Sequence, residues 1–232
     1  MIHKISLIPK LSPGPVLFLT VSVYAGIHLF TRLVPWAPFL TRTILPNAWL
    51  ILVAYGWHRL FGLNEIAWQG GKKTALSLFI ATAILGLNTA MALLWPVRQQ
   101  HPLLTYDIAI VLLVPVAEEL FFRGVLFDYF VFKTQRRVIA IIGTALIFGA
   151  LHLPWGVGIA TAMTILGLCL AWLASSTKTL IGPIVIHIGW NTLSTLKGLD
   201  AGRDRMMILG ISGAAILSFS ALGFITRQDR KP

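Results

Sequence analysis

Three short stretches of this chain hold residue types that can do acid–base chemistry: Glu118, Glu119 and Arg123 in "EELFFR", His152 at the end of "FGALH", and His187 with Asn191 in "HIGWN". A carboxylate near two imidazoles and a carboxamide can activate water. The carboxylate takes a proton from water and later passes it to a leaving amine, a histidine orients the water, and neutral donors stabilise the oxyanion. Spacing divides the labour. Glu119 and Arg123 stand four apart with the acid on the N-terminal side, the favoured order for an ion pair on one helical face. Glu118 is rotated about 100 degrees away and has no cation three or four residues on, so it is the freer carboxylate. Phe148 precedes His152 by four and Asn191 follows His187 by four, which puts each pair on a shared face.

Competing chemistries are poorly supplied. Cys169 has no histidine near it in sequence, and Ser175, Ser176 and Ser194 lack a G-x-S-x-G setting. Two histidines and a glutamate are adequate zinc ligands, so Glu118, His152 and His187 would be the ligand set if a metal were bound. The local zincin signal H-E-x-x-H is absent. The separation of these ligands over three helices neither supports nor excludes a metal.

The elements that must carry these residues are apolar. The chain of 232 residues is 56% hydrophobic and 12% charged, with a mean hydropathy of +0.80, whereas a soluble domain carries about 25% charged residues. Runs long enough for membrane helices lie at 15–32, 44–61, 74–95, 106–132, 138–153, 156–174, 180–196 and 206–226. The expectation is an all-α, polytopic bundle of eight transmembrane helices, with seven as the fallback. The N-terminal stretch resembles a signal peptide but reads as a retained first helix. With no repeat or long linker, residues 1–232 form one membrane domain whose core, 105–196, carries the three motifs. One cysteine excludes a disulfide framework.

The net charge of +11 lies beside the hydrophobic segments rather than in one patch, which excludes nucleic acid as a partner. In the eight-helix reading, Lys4, Lys10, Arg59, Lys72, Lys73, Lys133, Arg136, Arg137, Lys178, Arg227, Arg230 and Lys231 fall on one side. Arg32, Arg42, Arg98, Lys197, Arg203 and Arg205 fall on the other. Twelve against six puts both termini in the cytoplasm. Of the eight acids, only Glu118 and Glu119 are left near mid-membrane, with Asp128 near a helix end and the rest in or near loops. An acid at a helix centre costs ~3 kcal/mol or more, so these two must face the interior or pair. Pro115, just upstream, removes a backbone hydrogen bond where water would need to reach Glu118. The bland account is an ion pair and two core histidines that only fix packing, with His28 and His58 satisfied at helix ends and His3 and His101 in loops. Gly149, Gly182 and Gly189 allow close approach of the motif-bearing helices.

Taken together, "EELFFR", "FGALH" and "HIGWN" resemble, in order and separation, the EExxxR, FxxxH and HxxxN motifs of the CPBP family. These are the CAAX-protease and bacteriocin-processing (ABI) intramembrane proteases, related to the Ras-converting CAAX prenyl endopeptidase. The resemblance covers roughly 105–196. It implies a conical helix bundle that admits a membrane-associated peptide or protein to a site below the membrane surface. By similarity, Glu118 activates the water, His152 helps hold it, His187 and Asn191 stabilise the oxyanion, and Glu119, Arg123 and Phe148 support them. It also implies a metal-free peptidase in a bacterial or archaeal cytoplasmic membrane. The substrate, prenylated CAAX-type, precursor peptide or C-terminal sorting signal, stays open, as does the oligomeric state. A non-catalytic immunity or scaffold protein of the same family is the alternative, because fold does not imply turnover. A proton-coupled transporter using Glu118 ranks last, since the first three helices offer little polar lining beyond Asn88 and Thr89.

Overall fold

A computed structural model of the chain describes residues 12–33, 40–61, 72–93 and 105–197. They are helical almost throughout and contain no strand. Helix α1 spans Pro13–Leu33. A π-turn, Leu40–Ile44, leads into α2, Leu45–Phe61, and α3 spans Lys72–Leu93. One continuous helix then runs as α4, Thr105–Glu119, a π-helical segment, Leu120–Leu126, and α5, Phe127–Thr134. Helix α6, Arg137–Ala150, joins α7, Val157–Thr177, through a 3-10 turn, Leu153–Trp155, and α8 spans Ile181–Lys197. Counting Thr105–Thr134 once, the described residues make seven helices. The eighth expected pass, 206–226, lies outside them. Lys73–Ala90 and Val157–Thr177 are each long and apolar enough to cross a bilayer.

Turn chemistry sets the hairpins. Gln135 (φ 55°) and Lys178 (φ 58°) are left-handed C-caps whose N–H groups bond Val131 O and Ala174 O at 2.8 Å, so α5 and α7 stop and the chain reverses. Gly156 opens α7 at φ 109°, a conformation that side chains resist. Glycines then fix how closely the helices pack. A Cβ on Gly149 would collide with Thr164 Oγ1 and approach the Ala160 carbonyl at 2.7 Å, and one on Gly167 would sit 3.1 Å from Ala145 Cα. Gly182 and Gly189 present backbone to Ser77 and Leu85 of α3 in the same way. Small-residue contacts of this kind let apolar helices associate when lipid competes for their faces.

Side-chain contacts also establish which helix ends lie together. Trp57, near the end of α2, meets Tyr129 of α5 with ring centroids 6.3 Å apart, and Gly14 of α1 faces the Tyr129 hydroxyl. Thr177, ending α7, bonds Ser77, near the start of α3, at 3.4 Å. Phe127, Ala140, Ala174 and Leu180 share one buried cluster. The start of α3, the ends of α2, α5 and α7 and the α5–α6 and α7–α8 turns therefore mark one end of the bundle. Arg59, Lys73, Lys133, Arg136, Arg137 and Lys178 are at this end.

Candidate active site

The two turns that reverse the chain also bring the motif residues together. Counting back from Thr134 to Glu118 and forward from Arg137 to His152 gives nearly equal helical lengths, so the α5–α6 hairpin puts these two residues opposite one another. Immediately after Glu119 the helix changes pattern: Phe127 N–H bonds Phe122 O, five residues back. This i→i+5 bonding widens the turn beyond 3.6 residues and brings positions four apart closer to eclipsed. Arg123 lies on this wide turn, and its Nη1 donates to Glu119 Oε1 at 2.8 Å with both side chains fully buried. Arg123 Nη2 donates to Gly167 O at 3.2 Å. The guanidinium also lies over the rings of Phe148 and Phe122, 4.9 and 5.7 Å from their centroids. A buried cation survives only with such partners.

Helix α8 completes the arrangement. His187 Nδ1 lies 2.9 Å from Glu119 Oε1, across 68 positions of sequence. Because that oxygen already accepts from Arg123, Nδ1 carries the hydrogen and donates it. His187 Nε2 therefore points to the other carboxylate, 3.6 Å from Glu118 Oε2. That gap is too long for a direct hydrogen bond and suits a shared water. Glu119 is fully buried, whereas Glu118 keeps 18% of its side chain exposed. The Glu119–Arg123 ion pair expected from helical spacing is present, and Glu119 also bonds His187.

His152 follows α6, and its Nδ1 lies 2.8 Å from Phe148 O. A carbonyl can only accept, so Nδ1 donates and Nε2 remains as the acceptor of the neutral ring. The Phe148 ring sits between the histidines, 4.8 Å from His152 and 5.8 Å from His187 by centroid. Glu118 lies within electrostatic range of both. Asn191, one turn beyond His187, donates Nδ2 to Ile110 O of α4 at 3.1 Å, which uses one of its two amide hydrogens. The cluster thus unites Glu118, Glu119, Arg123, Phe148, His152 and His187. Asn191 lies at its edge, bonded to the helix that carries the glutamates.

Three participants were missed from sequence. Tyr24 of α1 lies within electrostatic range of Glu118, and the Gly167 carbonyl and the π-turn hold Arg123. None belongs to a motif, and an apolar helix gives no signal for them. Asp128, expected near a helix end, is buried at 2% exposure. Glu119 Oε2 and Arg123 Nε are buried with no protein partner, which makes the cluster a place where ordered water would be held. Among the described residues, no three His, Cys, Asp or Glu side chains converge as a metal site.

Residues 100–193 match the family model for type II CAAX prenyl endopeptidase Rce1-like proteins. The matched segment contains all three motifs. No curated protein and no solved structure matches the chain.

Proposed function

We propose that this chain, whose residues 100–193 belong to the Rce1-like family of CAAX prenyl endopeptidases, is an intramembrane endopeptidase that hydrolyses a peptide bond with a glutamate-activated water. The observation that carries the reading is the contrast between the two adjacent acids. Glu119 is buried and committed to Arg123 and His187, while Glu118 is partly open, with an imidazole nitrogen 3.6 Å away. An ion pair that only fixed packing would need one acid, not two.

In the proposed reaction, water donates a hydrogen bond to Glu118, with His152 accepting through Nε2 or holding the water in line. Glu118 takes the proton as the water oxygen bonds to the scissile carbonyl carbon. The C–N bond then breaks, and the same proton passes from Glu118 to the leaving amine. With Nδ1–H committed to Glu119, His187 would donate to the oxyanion from Nε2 as an imidazolium, its ring lying between the two carboxylates. Asn191 would supply its second amide hydrogen. Substrates would be membrane-anchored peptides or proteins, and the enzyme a multi-pass protein of a bacterial or archaeal membrane with both termini cytoplasmic. No metal enters these steps.

Glu118→Gln keeps size and hydrogen bonding but cannot accept the proton. It is expected to lower cleavage by at least about 10²-fold, with unchanged membrane insertion. The comparison is quantitative proteomics of membrane-protein termini in native cells. Termini produced equally by the variant would remove the assignment.

A further inference from the structure

The first two helices carry polar side chains that the proposed reaction does not use. On α2, Asn47, Leu50 and Trp57 share one face, and all three are buried, Asn47 at 6% exposure. Trp57 meets Tyr129 of α5, and Leu50 shares a buried cluster with Ala117, the neighbour of Glu118. This face of α2 therefore lies along the helix that carries the glutamates. Helix α1 presents a similar stripe. Leu17 and Tyr24 pack against the same cluster, and between them Thr20 is buried, its carbonyl accepting from Trp49 Nε1 of α2 at 3.2 Å.

Helical length brings two of these polar groups to the level of Glu118. Gly14 faces the Tyr129 hydroxyl at the basic end of the bundle. Tyr24 lies ten residues on from Gly14, Asn47 ten back from Trp57 and Glu118 eleven back from Tyr129. At ~1.5 Å per residue each stands about 15 Å from that end. Tyr24 is half-buried and within electrostatic range of Glu118, whose own side chain is partly open. Asn47 turns Nδ2 back to Thr43 O at 2.7 Å. A carbonyl can only accept, so the amide is fixed with the acceptor Oδ1 as its other end.

We propose that Tyr24 and Asn47 bind the main chain of the peptide to be cut and hold its scissile bond beside Glu118. The occupant is an extended segment, which offers a C=O to the Tyr24 hydroxyl hydrogen and an N–H to Asn47 Oδ1. A segment drawn out of its helix for cleavage exposes such groups at membrane depth, where they are costly unless bonded. Main-chain groups are common to every sequence, so this wall fixes register without selecting side chains. It lies on helices outside residues 100–193.

The binding role rests on the proposed peptidase activity, so placement and binding are measured separately. For placement, Glu118→Cys is paired with Tyr24→Cys or with Asn47→Cys in the full chain carrying Cys169→Ser. Membranes are treated with a short bifunctional thiol reagent. Both pairs are expected to join as readily as two controls, Gly14→Cys with Tyr129→Cys and Trp57→Cys with Tyr129→Cys. Controls that join while a test pair does not overturn the placement, and controls that fail overturn the packing on which it stands. For binding, the substrate is a synthetic peptide spanning a terminus that Glu118→Gln abolishes. Tyr24→Phe is expected to raise KM about three- to ten-fold, with kcat within about two-fold of wild type and an unchanged melting temperature. Asn47→Leu is expected to do the same, and if it melts lower, Tyr24→Phe alone decides. A loss confined to kcat would mean that the phenol acts on the chemistry at Glu118, and an unchanged KM that it touches no substrate. Either result overturns the proposal and leaves the peptidase reading standing. If no terminus depends on Glu118, the peptidase reading falls and takes the binding role with it.

Discussion

Glu119 carries more of the site than its motif position implies, because one buried oxygen accepts from both Arg123 and His187. Removing it takes from a buried guanidinium and a buried imidazole the one carboxylate oxygen that both bond. Glu119→Ala is therefore expected to cost about 3–5 kcal/mol, whereas Glu118→Ala, at a partly open position, should cost much less. Thermal unfolding in detergent would read the difference, and equal losses would show that Glu119 is not the structural member of the pair. Arg123→Lys is expected to resemble Arg123→Ala more than wild type, since an ammonium cannot serve Glu119, Gly167 O and two aromatic faces together. Much of this was legible beforehand: the cost of an acid in an apolar helix pointed to both glutamates, and the i,i+4 rule paired Glu119 with Arg123 and left Glu118 the freer one. The His187 contact was not, because local spacing says nothing about a partner 68 positions away. Nor was the bond from Asn191 to Ile110 O, since every helical carbonyl is an equally good candidate in sequence.

The helices themselves were easier to read than their internal geometry. Expected runs 44–61, 156–174 and 180–196 became Leu45–Phe61, Val157–Thr177 and Ile181–Lys197, and 106–132 became the continuous helix Thr105–Thr134. Apolar length fixes such boundaries, but nothing in "LFFRGVL" marks a change to i→i+5 bonding. Close packing gives a graded test. A Cβ at Gly149 meets a threonine side chain and the Ala160 backbone carbonyl, while one at Gly189 meets only the mobile end of Leu85. Gly149→Ala is expected to destabilise by about 1–3 kcal/mol and Gly189→Ala by less. Leu85→Ala should relieve the second substitution, and Thr164→Ala should relieve the first only in part. Melting of the single and double variants decides the order, and complete rescue at Gly149 would mean that the backbone contact is slack.

Across the whole molecule, apolar surface and charge are segregated. Large side chains such as Phe18, Phe79, Ile142 and Leu146 are exposed around the helices, while exposed Lys133, Arg136 and Arg137 gather at one turn. That pattern suits a body sheathed in lipid. The bond between Glu119 and His187 also imposes an order on biosynthesis. A chain made from its N-terminus inserts both glutamates well before α8 arrives, so for that interval Arg123 alone keeps Glu119 company. A chain ending at Lys178 is expected to insert and persist but cut nothing, and adding Arg123→Ala to it should shorten its lifetime several-fold in pulse-chase. Equal lifetimes would mean that the ion pair is dispensable until α8 docks. Arg123 would thus act as an escort during assembly before it serves as a support in the finished protein.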